Sequence, residues 1–117
     1  NTNDITRFMA LEGRSFVASV SGLMRRSDLP AHLPGIEQVI GNAPEFLANG
    51  GSCIAGPDGN WVIEPVCDEE KLLIATLDHT RVREERQNFD PTGHYSRPDV
   101  LELNVNRKRQ RVANFED

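Results

Sequence analysis

Residues 50–78 read GGSCIAGPDGNWVIEPVCDEEKLLIATLD, and this stretch decides the fold of the chain. It contains three short apolar runs, at residues 52–55, 61–66 and 72–77. Asp58-Gly59 between the first two runs is a strong hairpin signal, because glycine adopts a positive φ without a steric clash. An acidic turn at residues 67–70 separates the second run from the third. Runs this short and this rich in Val, Ile and Leu favour strands, so we predict an antiparallel three-stranded meander within a larger, layered sheet.

The part of the chain before the meander predicts a helix and one more strand. Ile5, Phe8 and Met9 are spaced i, i+3, i+4, which indicates an amphipathic helix over residues 3–12. Gly13 is expected to take the left-handed conformation that ends this helix. Residues 16–21 predict a buried strand and residues 22–34 predict a loop. A short helical turn is predicted at residues 36–40, and a second turn at residues 45–48.

The part after the meander predicts a charged surface helix and a last strand. Asp78 is a candidate N-cap for a helix that continues to about Gln87. Residues 90–93 predict a turn. Residues 100–105, VLELNV, alternate between apolar and polar side chains and predict a half-buried strand.

The size and composition of the chain indicate one α/β (α+β) domain, at residues 1–105, followed by a solvated tail at residues 106–117. The net charge of −5 gives no reason to expect a nucleic acid as partner, and no apolar run is long enough to span a membrane. The first residues lack the basic and apolar regions of a signal peptide, and without an initiator Met the chain is expected to be processed or truncated. A reducing cytoplasm is therefore the default location, and a disulfide between Cys53 and Cys67 is the alternative.

Three stretches of the chain resemble the nitrilase branch of the carbon–nitrogen hydrolases, and they occur in the order that they have in that family. They are residues 50–78, residues 90–101 with the wording DPTGHYSRPDVL, and residues 4–24 with the wording DITRFMALEGRSFVASVSGLM. The resemblance implies that the chain is about the last third of a nitrilase and part of its α-β-β-α sandwich. In that family a cysteine thiolate attacks a nitrile, and hydrolysis of the thioimidate gives a carboxylic acid and ammonia. The resemblance implies no metal and no organic cofactor.

No catalytic residue is carried over from the family to this sequence. The nitrilase nucleophile lies in a Cys-Trp-Glu context upstream of the helix that residues 3–12 resemble, and this tripeptide is absent here. Cys53 and Cys67 have other neighbours and are interpreted as small buried hydrophobic residues. Lys71 lacks the basic residue that precedes the family's catalytic lysine, and no glutamate matches the catalytic position. No His, Cys, Asp or Glu cluster has the spacing of metal ligands.

The candidate site residues are His94, Tyr95, Ser96 and Arg97. They form a polar and aromatic turn before the predicted last strand, and the resemblance places them in a segment that takes part in subunit association. We interpret them as interface residues, or as supports of a substrate site, rather than as direct substrate contacts. Tyr95 and Arg97 are the expected anchors of a homo-oligomer.

Three functions remain open from the sequence. The resemblance favours part of a nitrilase, whose partner is a small-molecule nitrile. An amidase or carbamoylase of the same superfamily is the nearest alternative, and a non-catalytic assembly or binding module is the alternative from another class. In each case one face of the sheet is expected to lie uncovered, which leaves the chain marginally stable or associated.

Overall fold

The computed structural model describes residues 2–90 and 92–108 of the chain. The elements in these ranges are α1 (Thr2–Gly13), β1 (Val17–Ser19), β2 (Leu23–Arg25), a 3-10 turn (Arg26–Asp28), α2 (Ile36–Ile40), β3 (Phe46–Ala55), β4 (Trp61–Cys67) and α3 (Thr80–Asn88). Helices together with an antiparallel sheet make the chain α+β, as predicted. The predicted tail falls mostly on residues 109–117, which lie outside the described residues.

The long strand β3 is the centre of the sheet. Ile54 in β3 pairs with Ala18 of β1 on one side and with Ile63 of β4 on the other, and both ladders are antiparallel. β2 pairs with the first half of β3. The hairpin between β3 and β4 is confirmed, with Asp58-Gly59 at its tip, where the Gly56 amide donates to the Asn60 carbonyl at 2.8 Å.

A glycine pair makes β3 longer than the sequence predicts. Gly50 and Gly51 have φ values of 88° and 100°, and the register against β4 shifts between Gly50 and Ser52. Glycine adopts these conformations without a steric clash, so β3 continues through the shift in register. The turn predicted at residues 45–48 is therefore wrong, since Phe46 already begins β3. The loop predicted at residues 22–34 is wrong where it overlaps β2.

The third strand of the predicted meander, at residues 72–77, does not form. The chain leaves β4 through Asp68, whose φ is 61° and whose amide donates to the Asn49 carbonyl at 2.8 Å. This bond keeps the chain beside β3 instead of turning it back along β4. Leu72 and Ile74 consequently lie exposed to solvent.

The predicted strand at residues 100–105 is also wrong. The Val100 and Leu101 amides donate to the Arg97 carbonyl at 2.9 and 2.8 Å, so the segment begins in a turn and continues as exposed, irregular chain. Period-two alternation gives a strand only where a sheet edge is available to pair with it.

Helix α1 confirms the predicted helix. Its stripe of large apolar side chains, however, faces solvent rather than the core. Thr6 and Ala10 are buried where the helix packs against β1 and β3. The stripe of Ile5, Phe8 and Met9 is 55–61% exposed. Small side chains on the packed face let the helix approach the sheet closely, and the larger ones therefore remain at the surface.

The end of α1 differs from the prediction by one residue. Arg14, not Gly13, has the left-handed conformation, with φ 46°. The Ser15 amide donates to the Ala10 carbonyl at 3.1 Å and the Arg14 amide to the Leu11 carbonyl at 3.4 Å. These two bonds form a Schellman motif, in which glycine is the usual left-handed residue.

The tip of the β3–β4 hairpin is held between two helices. Arg7 of α1 donates from Nε to the Gly59 carbonyl at 2.7 Å, and Arg81 of α3 pairs with Asp58 at 2.7 Å. Pro57 is fully buried below these contacts. The Arg7 guanidinium also lies over the Trp61 ring, at 5.7 Å from its centroid.

Helices α2 and α3 lie where the sequence predicts them, but the N-cap of α3 is His79 rather than Asp78. Asp78 sits two residues before α3 and accepts hydrogen bonds from the Thr80 amide and hydroxyl, at 2.9 and 2.7 Å. These bonds lower the pKa of the Asp78 carboxyl. None of the helices in the described ranges is both long and apolar enough to cross a membrane.

Strand β4 is an edge of the sheet within the described chain, since it pairs with β3 alone. Glu64 is exposed on this strand, and Pro65 follows it. A proline has no amide hydrogen to donate to a neighbouring strand.

Candidate functional site

The segment that carries the candidate site residues leaves the end of α3 through a tight turn. Asp90 organises this turn, because its side chain accepts a hydrogen bond from the Gly93 amide at 3.0 Å and its carbonyl accepts one from the Tyr95 amide at 3.2 Å. A Cβ at Gly93 would overlap the Asp90 carboxylate. The turn therefore needs a glycine at this position.

Two of the predicted site residues, His94 and Tyr95, belong to a short row of rings. The Phe89 and Tyr95 ring centroids are 5.3 Å apart, and those of Tyr95 and His94 are 4.3 Å apart. The Arg14 guanidinium lies 5.9 Å from the Phe89 centroid. The row connects the end of α1 to the candidate segment. Arg14 was not predicted as part of this site, and its only signal in the sequence is its place directly after Gly13 at the end of the predicted helix.

Arg97 is paired within its own segment. Its Nε and Nη2 donate to the two carboxylate oxygens of Asp99, at 2.7 and 2.6 Å. The pair raises the pKa of Arg97 and lowers that of Asp99. The guanidinium of Arg97, an expected anchor of a homo-oligomer, therefore already holds a carboxylate of its own segment.

All four candidate residues, His94, Tyr95, Ser96 and Arg97, lie at the surface. The Ser96 amide donates to the Gly93 carbonyl at 3.0 Å, which continues the turn. The arrangement presents two rings and an ion pair to solvent. It has the composition of a contact surface, and no thiol or lysine takes part in the contacts described here.

The two cysteines are free and have different surroundings. Cys53 is buried, as expected, on the sheet face that α1 covers. Cys67 at the end of β4 is exposed, so the expectation that it is buried is wrong. Cys67 is exposed because it is the last residue of an edge strand. Neither thiol has a hydrogen bond to a lysine or a carboxylate in residues 2–90 and 92–108.

A polar cavity of about 490 Å³ opens beside β2, and the sequence analysis did not predict it. Its lining includes Arg25, Asp28, Glu70 and the pair of Lys71 and Glu69, whose charged atoms are 3.5 Å apart. Charges of both signs lie around one space, which suits a small polar molecule more than an apolar one.

The Ser52 hydroxyl in the lining of the cavity is held by backbone. The Ser52 hydroxyl accepts from the Ser21 amide at 2.9 Å and donates to the Ser21 carbonyl at 3.3 Å. Both roles of this hydroxyl are therefore occupied by backbone. No group of three or more His, Cys, Asp or Glu side chains is placed to hold a metal ion in the described part of the chain.

Comparison with known proteins gives a consistent set of relatives. The chain is 37% identical over 112 residues to an aliphatic nitrilase of Rhodococcus rhodochrous, covering 93% of the chain and 29% of that protein. It is 36% identical over 110 residues to nitrilase 2 of Arabidopsis thaliana, covering 92% of the chain and 32% of that protein.

A third relative has nearly the same length as this chain. It is a putative nitrilase-like protein of Saccharomyces cerevisiae, 33% identical over 112 residues, and the match covers 89% of the chain and 94% of that protein. The chain spans about a third of the length of the bacterial and plant nitrilases above. No protein-family model matches the sequence.

Proposed function

Because the chain belongs to the nitrilase family, we propose that it forms the C-terminal third of a hydrolase that converts a nitrile to a carboxylic acid and ammonia through a cysteine thioimidate. The observation that carries the proposal is the match of about nine-tenths of the chain to about a third of several nitrilases. The chain contributes sheet, helices and a contact segment to this fold.

The chemistry of a nitrilase requires groups that the described residues do not bring together. A thiol becomes a strong nucleophile beside a base or a positive charge, and the developing charge on nitrogen needs a fixed donor. Cys53 is buried in β3, and Cys67 at the end of β4 has no such partner among the described residues. The proposal therefore assigns the nucleophile, the base and the lysine to parts of the fold outside this chain.

The proposal includes the α-β-β-α sandwich of the family. One face of the sheet carries α1, while the other face carries a groove of about 280 Å³ whose lining includes Ala18, Val20, Ile54 and Leu72. Val20 is 91% exposed. Apolar side chains on an open sheet face are stabilised by a second layer, and the second sheet of a sandwich would supply it.

We also propose that the parent protein is a homo-oligomer without nucleic-acid or membrane partners, in a reducing cytoplasm that keeps its thiols free. Two surfaces support association: the exposed stripe of Ile5, Phe8 and Met9 on α1, and the segment of His94 to Arg97. Aromatic and aliphatic side chains at an exposed helix face or turn are typical of protein contacts.

A non-catalytic assembly module is the second candidate function. It is favoured by the yeast relative, which this chain covers over 94% of its length. A nitrilase-like protein can therefore be about as short as this chain, which is about a third of the length of the bacterial and plant nitrilases. An amidase or carbamoylase remains the alternative within the superfamily.

A chimaera separates these candidates. This chain would replace the matching 29% of the Rhodococcus nitrilase, and ammonia release would be measured with nitriles and with amides. Release from nitriles is expected, and release from amides alone would favour the amidase alternative. A folded chimaera that is inactive on both would favour the module.

The chain alone serves as the control. It is expected to release no ammonia above a Cys53→Ala, Cys67→Ala double variant, because neither thiol has an activating partner in the described residues. Activity of the unmodified chain above that variant would contradict the assignment of the nucleophile to another part of the fold.

A further inference from the structure

The end of α1 contains an arginine in a conformation that disfavours it. Arg14 occupies the left-handed position of the Schellman motif, with φ 46°, although Gly13 lies directly before it. A left-handed conformation brings Cβ close to the following carbonyl oxygen in every residue except glycine. A strained residue of this kind indicates that the surrounding structure uses its side chain.

The Arg14 side chain reaches the end of α3. Its Nη1 donates to Glu85 Oε2 at 3.1 Å, and its guanidinium lies over the Phe89 ring. The Phe89 amide in turn donates to the Glu85 carbonyl at 3.4 Å and closes the last turn of α3. Arg14 therefore contacts both the final turn of the helix and the residue through which the chain leaves it.

Local stability does not account for an arginine at this position. The side chain is only 19% exposed, and its Nε is buried without a hydrogen-bond acceptor among the described residues. A buried donor without an acceptor is unfavourable, and a glycine would avoid both this loss and the strained backbone.

We propose that Arg14 is a positioning residue for the segment of residues 94–97. The guanidinium fixes Phe89, the Phe89 ring packs against Tyr95, and the Tyr95 ring packs against His94. This series of contacts sets the direction in which the chain leaves α3. It also holds the segment in a fixed relation to α1, on which the other proposed contact surface lies. Only the use of the segment in association rests on the proposed function.

Amide hydrogen exchange on the full chain tests the positioning. In Arg14→Gly, the Tyr95 and Ser96 amides are expected to exchange about tenfold faster, the size expected for the loss of one cation–π contact and one ion pair. The Ser15 amide at the helix end should exchange no faster, since glycine suits the left-handed position. Arg14→Lys, which keeps the charge but not the planar group, should give a smaller acceleration.

Arg25→Ala is the matched control, because Arg25 lies over the Phe46 ring at 5.5 Å in another part of the fold. It should leave the Tyr95 and Ser96 exchange rates unchanged. If Arg14→Gly leaves these two rates unchanged as well, or if Arg25→Ala raises them equally, the positioning role is wrong. Phe89→Leu provides a second variant that removes the ring while keeping the Arg14 backbone conformation.

Sedimentation velocity of the same variants separates this inference from the proposed function. Faster exchange together with weaker association supports both. Faster exchange with unchanged association leaves the positioning role standing and removes the segment from the proposed interface. Weaker association with unchanged exchange contradicts the positioning role, since Arg14 would then act without ordering the segment.

Discussion

Replacing Asp58 with alanine is expected to lower the free energy of unfolding by about 2 kcal/mol. The carboxylate of Asp58 accepts hydrogen bonds from the Asn60 amide at 3.2 Å, the Asn60 side chain at 2.9 Å and Arg81 at 2.7 Å. It thereby shapes the turn at the tip of the central hairpin and connects that turn to α3. Alanine removes all three contacts at once.

The magnitude follows from the exposure of the two partners. The Asp58 side chain is 24% exposed and that of Arg81 is 41% exposed, so solvent screens the pair and its contribution is about 0.5–1 kcal/mol. The two bonds from Asn60 add about 1 kcal/mol together, because they have a charged acceptor but lie exposed to solvent. Asp58→Asn, which retains an acceptor but loses the charge, should cost about 1 kcal/mol.

The effect should depend on pH in one direction. Partial burial raises the pKa of the Asp58 carboxyl, but the bonds from Asn60 and the charge of Arg81 outweigh it and place the folded pKa below the ordinary value. A lowered folded pKa means that the stabilisation is present above the unfolded pKa, near 4, and is lost as the pH falls through the folded value. The difference between the wild-type chain and Asp58→Asn should therefore be constant from about pH 5 to 8 and shrink below about pH 4.

Urea unfolding followed by fluorescence measures these differences, since Trp61 is the only tryptophan of the chain and lies next to the hairpin tip. A double-mutant cycle with Arg81→Ala should give a coupling of about 0.5–1 kcal/mol. Glu64→Ala, an acidic residue exposed on β4, is the control and should change stability little. A coupling near zero, or a difference between wild type and Asp58→Asn that persists unchanged at pH 3, would refute the reasoning.

A thiol reagent should label Cys67 rapidly in the native chain and Cys53 only on unfolding, as mass spectrometry after timed quenching would show; equal native rates would contradict the burial of Cys53. Gly59→Ala should cost about 2 kcal/mol in urea unfolding, since φ is 75° and the new Cβ would lie 3.3 Å from that of Leu11. Gly13→Ala, where a Cβ would meet no described atom within 4 Å, is its control, and an equal loss in both would argue against strain at the hairpin tip. Substituting the exposed Phe8 of α1 with glutamate should lower the sedimentation coefficient if the chain associates through α1, while an unchanged value would place the contact elsewhere.

The sequence predicts the elements whose signals are local. Signals from residues close together in the sequence predict the Asp58-Gly59 turn, helix α1 and the helix after Asp78. The two strands that were predicted but do not form concern partners rather than propensities. Residues 72–77 and 100–105 have strand-like patterns, but a pattern does not say whether a sheet edge lies within reach.

The turn that carries the candidate residues was predictable from the sequence, but its contacts were not. The wording from His94 to Arg97 identified an exposed turn, which the structure contains. Arg97 pairs with a neighbour two residues away, whereas the contact of Arg14 with Phe89 depends on how the end of α1 lies against the end of α3. Contacts between residues 75 positions apart leave no periodic signal in a single sequence.

The edge formed by β4 has a consequence for how the chain behaves at high concentration. An unpaired strand edge is a template on which further chains add as strands, and continued addition produces amyloid-like fibrils. Pro65 removes one donor from the middle of this edge, and the exposed charge of Glu64 lies beside it. Both features interrupt the row of backbone groups that an incoming strand would need. Growth of a sheet from the β4 edge is thereby discouraged, which favours self-association through side-chain surfaces instead.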